Sequence, residues 1–186
     1  MNARLRRFVQ AVEQALADAA AEEALIGSVG AAMRDLVARD DWLPGAAAVP
    51  DERHYQQYLL HRDQDGRFSI VSFVWGPGQQ TPIHDHTTWG VIGMLRGSEV
   101  SEAFVRAEDG RLRRGAVETL RPGDVAVVSP RLGDIHRVSN AFGDRASISI
   151  HVYGTDIGTR RRHVFDPDTG GTKVFVSGYS ALREAA

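Results

Sequence analysis

The sequence contains no cysteine, and this absence excludes several kinds of chemistry at once. Disulfide bonds, zinc–thiolate sites and cysteine nucleophiles all require a thiol side chain. The chain also lacks an apolar run of about 20 residues, so no transmembrane helix is expected. Its net charge of −2 gives no broad positive field, and we expect neither nucleic acid nor a membrane as a partner. The N-terminal segment lacks the apolar stretch of a signal peptide, which favours a cytoplasmic location.

The 186 residues are enough for one domain with a substantial core, and we predict a single domain over residues 1–186. Apolar residues at helical spacing predict two amphipathic helices within about residues 1–45. From about 50 to 180, short β-branched stretches alternate with turn signals, as is typical of an antiparallel barrel or sandwich. The predicted strands are 68–75, 89–95, 100–107, 116–120, 124–129, 145–153 and 172–177, with a hairpin turn at 108–111.

Two histidines, His84 and His86, are separated by one residue. On a strand this spacing places both imidazoles on one face and Asp85 on the other. Neutral imidazole is the commonest metal-ligand side chain, so the pair can form half of a metal site. The alternative is two unrelated histidines near a surface loop, because this short pattern also arises by chance.

Glycines flank the histidine pair, with Gly78 before it and Gly97 after it. A second group of residues follows downstream: Gly123, Pro130, Gly133, His136 and Asn140. Together they resemble the two motifs of the cupin superfamily, G-x5-H-x-H-x3-E-x6-G and G-x5-P-x-G-x2-H-x3-N, with one extra residue on each side of the proline. The resemblance implies a mainly β fold, a jelly-roll barrel called the double-stranded β-helix, preceded here by the two helices. It also implies that His84, His86 and His136 converge on one metal ion.

The chain departs from the first cupin motif at the glutamate, where Gly90 stands. The usual non-haem iron oxygenase site combines two histidines with a carboxylate. Three neutral imidazoles would instead leave a divalent ion with its full charge, and such a site favours an anionic substrate. A thiolate supplies that charge, because coordination deprotonates a thiol. Gly90 is also expected to leave space beside the metal.

Three segments carry a closer resemblance, to the thiol dioxygenases of the cysteine dioxygenase family. They are "PIHDHT" (82–87), "GDIHRVSN" (133–140) and "SISIHVYG" (147–154). In the third, Ser149, His151 and Tyr153 alternate, which places their side chains on one face of a strand. They look like the family's Ser-His-Tyr relay beside an Fe(2+) ion. An ordinary half-exposed strand would show the same alternation.

Two departures from the animal enzymes point to a particular branch of that family. The animal enzymes carry a cysteine crosslinked to the relay tyrosine and an arginine for the substrate carboxylate. This chain has no cysteine, and Gln57 stands at the position that resembles the arginine. The bacterial 3-mercaptopropionate dioxygenases are more similar, with an arginine nine residues past the relay tyrosine. That position is Arg162, and Arg160 is the rival if the loop register differs.

We therefore expect an iron(II)-dependent thiol dioxygenase that converts a small thiol carboxylate and O2 to a sulfinate. The preferred substrate is 3-mercaptopropionate, with mercaptosuccinate and cysteine as alternatives. Arg160 or Arg161 could receive the second carboxylate of mercaptosuccinate. Two alternatives belong to other classes. One is a cupin isomerase or hydrolase that uses Zn or Mn without O2 chemistry, and the other is a non-catalytic cupin binding domain.

Overall fold

The computed structural model describes residues 1–182, so the last four residues of the predicted domain lie outside the described part. Two helices come first, α1 (Ala3–Asp18) and α2 (Glu22–Val37). Eleven strands follow within the described residues: β1 (Gln56–Arg62), β2 (Ser69–Trp75), β3 (Ile83–His84), β4 (Gly90–Arg96), β5 (Glu99–Arg106), β6 (Leu112–Leu120), β7 (Val125–Val128), β8 (His136–Asn140), β9 (Ser147–Tyr153), β10 (Arg162–Phe165) and β11 (Thr172–Phe175).

The strands form two antiparallel sheets that face each other. One sheet has the order β1-β2-β9-β4-β7, and the other has the order β11-β10-β3-β8-β5-β6. Residues from the inner faces of both sheets form one buried cluster, which includes Phe73 and Trp75 on β2, Tyr153 on β9 and Val138 on β8. Every second residue of a strand points into this interior. The predicted mainly β jelly-roll fold, the double-stranded β-helix, is confirmed.

The two helices cover the outer face of the first sheet. Met33 on α2 is fully buried, and it packs in one cluster with Ile150 on β9 and Val91 on β4. Because helices cover its outside, β9 is buried along its whole length instead of alternating. Gly93 on β4 permits the closest approach, since a Cβ there would lie 2.6 Å from the Met33 side chain. Within the described residues, no helix is long and apolar enough to span a membrane.

The seven strands predicted from hydrophobic pattern are present, and β6 begins four residues earlier than predicted. Four further strands, β1, β3, β8 and β10, were missed. β3, β8 and β10 are short, and β1 is rich in polar residues, so none of them leaves a strong hydrophobic pattern. Pairing with neighbouring strands satisfies their backbone groups. His84 and His86 do not share one strand, which corrects the expectation from their spacing. β3 ends at His84, and His86 lies two residues past that end.

Candidate metal centre and substrate pocket

Three histidines from two neighbouring strands meet inside the barrel. His84 on β3 lies directly opposite His136, the first residue of β8, and His86 follows β3. One ring nitrogen from each lies within 4.8 Å of the others. The ring centroids are 4.8, 4.8 and 4.9 Å apart. The structure therefore brings together the three residues that the cupin-like spacing singled out.

The Nδ1 atom of each of these rings has a partner outside the cluster. In His84 it is 3.0 Å from the carbonyl oxygen of Pro82, and in His86 it is 2.9 Å from a carboxylate oxygen of Asp134. In His136 it is 3.1 Å from the Ser101 hydroxyl. A carbonyl or carboxylate only accepts, so His84 and His86 carry their hydrogen on Nδ1. Their Nε2 atoms are thereby left with free lone pairs, which is how metal-binding histidines are usually oriented.

Burial keeps the rings of His84 and His136 neutral. Burial and, to a smaller extent, the neighbouring His86 together lower the pKa of His84 to about 3. Burial also holds the pKa of His136 well below its usual range. Metal ions bind the neutral imidazole, so the three buried rings fit a borderline divalent cation such as Fe(2+).

Asp134 is a residue of the site that the sequence analysis missed. Its carboxylate accepts hydrogen bonds from the backbone nitrogens of His86 and Thr87 as well as from the His86 ring. Burial raises its pKa, but these hydrogen bonds outweigh burial and the pKa is lowered overall. An anionic Asp134 therefore fixes both the backbone and the ring of His86. Its position two residues before His136 was the only signal in the sequence.

The three alternating residues of β9 form a hydrogen-bonded chain. The Ser149 Oγ is 2.8 Å from the Nε2 of His151, and the Nδ1 of His151 is 2.8 Å from the Tyr153 hydroxyl. The Tyr153 ring stacks on His86 with a centroid distance of 5.3 Å. Burial raises the pKa of Tyr153 above its usual range and holds the pKa of His151 well below its own. The chain is therefore neutral at physiological pH, and it ends beside the three histidines.

Gly90 does not leave open space beside the histidines, which corrects the expectation from the sequence. A Cβ at this position would lie 2.8 Å from the Tyr153 ring and 3.0 Å from Val128. The space is filled, because the tyrosine lies directly over the glycine backbone. Gly90 thus allows Tyr153 to reach the histidines, and a glutamate could not occupy the same position without moving the ring.

Of the two rival arginines, the structure buries one and exposes the other. Arg162 is 3% exposed, whereas Arg160 is exposed and donates to the Oγ1 and carbonyl oxygen of Thr87. Arg162 shares the face of β10 that carries Val164, which lies opposite His84, so its side chain points to the histidine side. It donates to the Ser177 hydroxyl at 2.7 Å and lies over the Phe175 ring.

The Arg162 guanidinium is incompletely paired. Its Nε has no hydrogen-bond partner, and no carboxylate within the described residues forms an ion pair with it. Burial lowers its pKa, and the nearby Tyr153 and Tyr55 hydroxyls counteract this. A buried cation without a counter-ion is costly, so the position is arranged for an anion that arrives from outside.

Gln57 lies on β1 directly opposite Phe73, whose ring stacks on His151 at a centroid distance of 4.2 Å. Directly opposite residues of an antiparallel pair share one face, so the Gln57 side chain is on the barrel side. The half-buried Tyr55 is on the same face and packs on Trp75. The structure therefore places Gln57 at the wall that also holds the relay.

The matches to known proteins agree with this arrangement. The family model described as cysteine dioxygenase type I matches residues 3–166, so the chain belongs to this family. Human cysteine dioxygenase type 1 is 28% identical over 123 residues, which cover 64% of this chain and 60% of that protein. The Danio rerio protein is 28% identical over 134 residues, covering 70% and 64%. The chain thus spans about three fifths of the length of these relatives.

Solved structures with a similar fold are more distant in sequence. A cupin superfamily protein from Desulfitobacterium hafniense is 18% identical, with a TM-score of 0.46 over 63% of this chain and 94% of that one. A protein with a double-stranded β-helix domain from Klebsiella pneumoniae is 17% identical, with a TM-score of 0.45 over 73% and 97%.

Proposed function

We propose that the protein is an iron(II)-dependent thiol dioxygenase whose substrate is 3-mercaptopropionate. The reaction adds both atoms of O2 to the thiol sulfur, so that a thiol and O2 give a sulfinic acid without another reductant. His84, His86 and His136 would hold the iron. The observation that carries the proposal is the combination of three converging imidazoles with a buried Arg162 that has no carboxylate partner among the described residues, on the same side of the barrel.

Bound iron(II) would supply coordination sites for the thiolate and O2 and the electron transfer between them. Arg162 would bind the substrate carboxylate, since a guanidinium can donate two parallel hydrogen bonds to a carboxylate and fix its orientation. Gln57, an uncharged amide, would add a hydrogen bond from the opposite wall. Ser149, His151 and Tyr153 would orient one hydroxyl proton next to the reacting groups.

The charges around the pocket favour a substrate with a thiol and one carboxylate. Cysteine would add an ammonium group, which needs an anionic partner. Asp134 already accepts from His86 and Thr87, and Asp85 accepts from the backbone and ring of His163. Neither Asp134 nor Asp85 is therefore free to pair with the amine.

A second carboxylate, as in mercaptosuccinate, would need a second free cation. Arg160 is one candidate, but its Nε and Nη2 donate to Thr87 and its side chain is exposed. Arg161 is exposed as well. The described arginines therefore match one substrate carboxylate better than two.

The test is O2 uptake by protein loaded with iron(II) under anaerobic conditions. The thiols 3-mercaptopropionate, mercaptosuccinate and cysteine are supplied in parallel, and the products are identified by mass. We expect a gain of two oxygen atoms and the highest kcat/KM with 3-mercaptopropionate. Uptake with a different ranking would replace the substrate. No uptake in protein shown to hold iron would reject the dioxygenase and leave a cupin metalloenzyme without O2 chemistry.

A further inference from the structure

Glu99, the first residue of β5, is a buried acid that the proposed reaction does not use. It is 2% exposed, although glutamate is rarely buried without an ionic partner. One of its carboxylate oxygens, Oε2, has no hydrogen-bond partner. No basic side chain within residues 1–182 forms an ion pair with it. A carboxyl in this setting is costly when ionised, so a structural role as a salt-bridge partner is excluded.

The carboxyl lies at the inner end of the relay. The indole Nε1 of Trp75 donates to the Ser149 Oγ at 3.1 Å, and both polar groups lie close enough to the Glu99 carboxyl to lower its pKa. The sequence of contacts is therefore Glu99, Ser149, His151 and Tyr153, and Tyr153 stacks on His86. Burial raises the pKa of Glu99, Ser149 and Trp75 offset this only in part, and the resulting pKa is about 7.

Glu99 also lines a cavity of about 250 Å³ between β5, β6 and β7. The cavity reaches the surface, because several of its lining residues are exposed, among them Val105, Val127 and Leu132. The other titratable groups that line the cavity are Glu118 on β6, Asp134 before β8 and His136 on β8. On the relay side lie His151 and Tyr153, with His86 stacked on the Tyr153 ring. The Glu99 carboxyl thus connects a solvent-reaching cavity to the relay.

The protonation state of Glu99 determines the direction of every hydrogen bond in the Ser149–His151–Tyr153 chain, because each group has a fixed number of hydrogens to donate. An ionised carboxylate only accepts, so the Ser149 hydroxyl must donate to it. Ser149 then accepts from His151, whose hydrogen is on Nε2. The Nδ1 of His151 is left as an acceptor, and the Tyr153 hydroxyl donates to it.

A protonated Glu99 reverses this order. Its hydroxyl donates to Ser149, and Ser149 donates to the Nε2 of His151. The imidazole then carries its hydrogen on Nδ1 and donates to the Tyr153 oxygen. The hydrogen of the Tyr153 hydroxyl is thereby released from His151 and is free to point to the histidine site. His151 stays neutral throughout, so the two states differ in tautomer and not in its charge.

We infer that Glu99 is a positioning residue that sets the hydrogen-bond direction of the Ser149–His151–Tyr153 chain, and that it exchanges its proton with solvent through the β5–β7 cavity. Its effect on catalysis rests on the proposed dioxygenase function. Its effect on the His151 tautomer does not, so the two ideas can fail separately.

The first test follows the imidazole nitrogens of His151 by ¹⁵N NMR in protein loaded with zinc as a diamagnetic stand-in. As the pH rises through the Glu99 titration, the two ring nitrogens should exchange their chemical shifts. Glu99→Gln should abolish the exchange, because the amide does not ionise. Glu118→Gln is the matched control, an exposed acid on the same cavity, and should leave the exchange intact. A wild-type tautomer that is constant with pH, or an exchange that persists in Glu99→Gln, would overturn the inference.

Two further measurements separate positioning from simple support of the fold. Ser149→Ala leaves the carboxyl in place but cuts the chain, so the tautomer exchange should be lost while Glu99 still titrates. In iron-loaded protein, the wild-type kcat should show an inflection at the pH of the exchange, and this inflection should be absent from Glu99→Gln and present in Glu118→Gln. An identical kcat profile in both variants would contradict the coupling. No activity at all, with the tautomer exchange intact, would reject only the dioxygenase.

Discussion

The ring of Tyr153 occupies the space that any side chain at position 90 would need, since a Cβ on Gly90 would lie 2.8 Å from it. The cupin pattern has a carboxylate ligand at this position. In this chain the same volume instead holds the outer end of a neutral hydrogen-bonded chain. The glycine at position 90 therefore has two consequences: it removes a carboxylate ligand, and it leaves the space that the Tyr153 ring occupies.

Gly90→Ala should push the Tyr153 ring away from the histidines. We expect a loss of kcat of roughly 100-fold, since a displacement of about 1 Å has effects of that size, and a loss of stability of about 1–3 kcal/mol. Gly93→Ala is the control, because its Cβ would crowd Met33 on the helix side of the same strand. It should reduce the free energy of unfolding comparably but leave kcat nearly unchanged. Equal kcat losses in the two variants would mean that strand distortion alone is responsible.

Tyr153→Phe should retain the metal and lose activity. A phenylalanine ring keeps the stacking on His86 and lacks only the hydroxyl that contacts the Nδ1 of His151. We expect an unchanged iron content and a fall in kcat of about 100-fold or more, the typical contribution of a positioned proton donor. Loss of iron from this variant would show that the tyrosine acts on the metal site itself.

Removing the guanidinium at position 162 should weaken the use of the substrate without lowering the stability of the protein. Arg162→Met is expected to lower kcat/KM for 3-mercaptopropionate by roughly 30-fold or more, about 2 kcal/mol, because the carboxylate loses a buried charged partner. The Tm of the substrate-free protein should be unchanged or higher, since an apolar side chain replaces a buried, unpaired cation. Arg160→Met serves as the comparison and should change kcat/KM far less. The opposite ranking would transfer the carboxylate to Arg160.

Asp134→Asn should weaken iron binding, because the carboxylate orients the ring of His86 and its backbone. Loss of such a supporting group typically reduces metal affinity by about 10- to 100-fold. Asp85→Asn is matched to it, since Asp85 also accepts from one backbone nitrogen and one imidazole, both of His163. Competition with a metal indicator dye would measure both affinities. A similar loss in both variants would indicate a general loosening of this region.

The raised pKa of Glu99 predicts a pH-dependent stability. Its pKa is about 7 in the folded protein and 4.5 is its usual value, so between these values the folded state binds a proton that the unfolded chain has released. The free energy of unfolding should therefore fall as the pH rises through this window, by up to about 3 kcal/mol, and then level off. Glu99→Gln should lose this decrease and be the more stable protein at alkaline pH. Urea denaturation of both proteins across the window would measure it, and parallel curves would contradict the assignment.

Several features of the site could be predicted because they depend on local spacing. The alternation of Ser149, His151 and Tyr153 needs only the period of two of a strand, and their contacts are between residues two apart. The spacing of the histidine motifs likewise identified the three residues that the structure brings together. Short apolar and β-branched stretches predicted seven strands, and the signal is strongest in β2, β4 and β9, which are buried along all or nearly all of their length.

Other features depend on contacts between distant segments. Asp134 supports His86 from 48 residues away, and Ser101 reaches the ring of His136 from 35 residues away. Irregularities in the ladders, such as the register shift between Met94 and Arg96 on β4, change which face a residue takes. A linear pattern does not contain such shifts, so it cannot state which polar side chains meet across the barrel.

The amino-acid sequence by itself determined the β-rich fold, the three histidines, the alternation of Ser149, His151 and Tyr153 and the absence of cysteine side chains, because each follows from residue type and short-range periodicity. The tertiary structure decided that Arg162 is buried while Arg160 is exposed, that Tyr153 fills the space over Gly90, and that Glu99 ends the relay. The physical reason is burial. The cost of an unpaired charge or the fit of a ring depends on the atoms that surround it, and only the folding of distant strands into one barrel brings those atoms together.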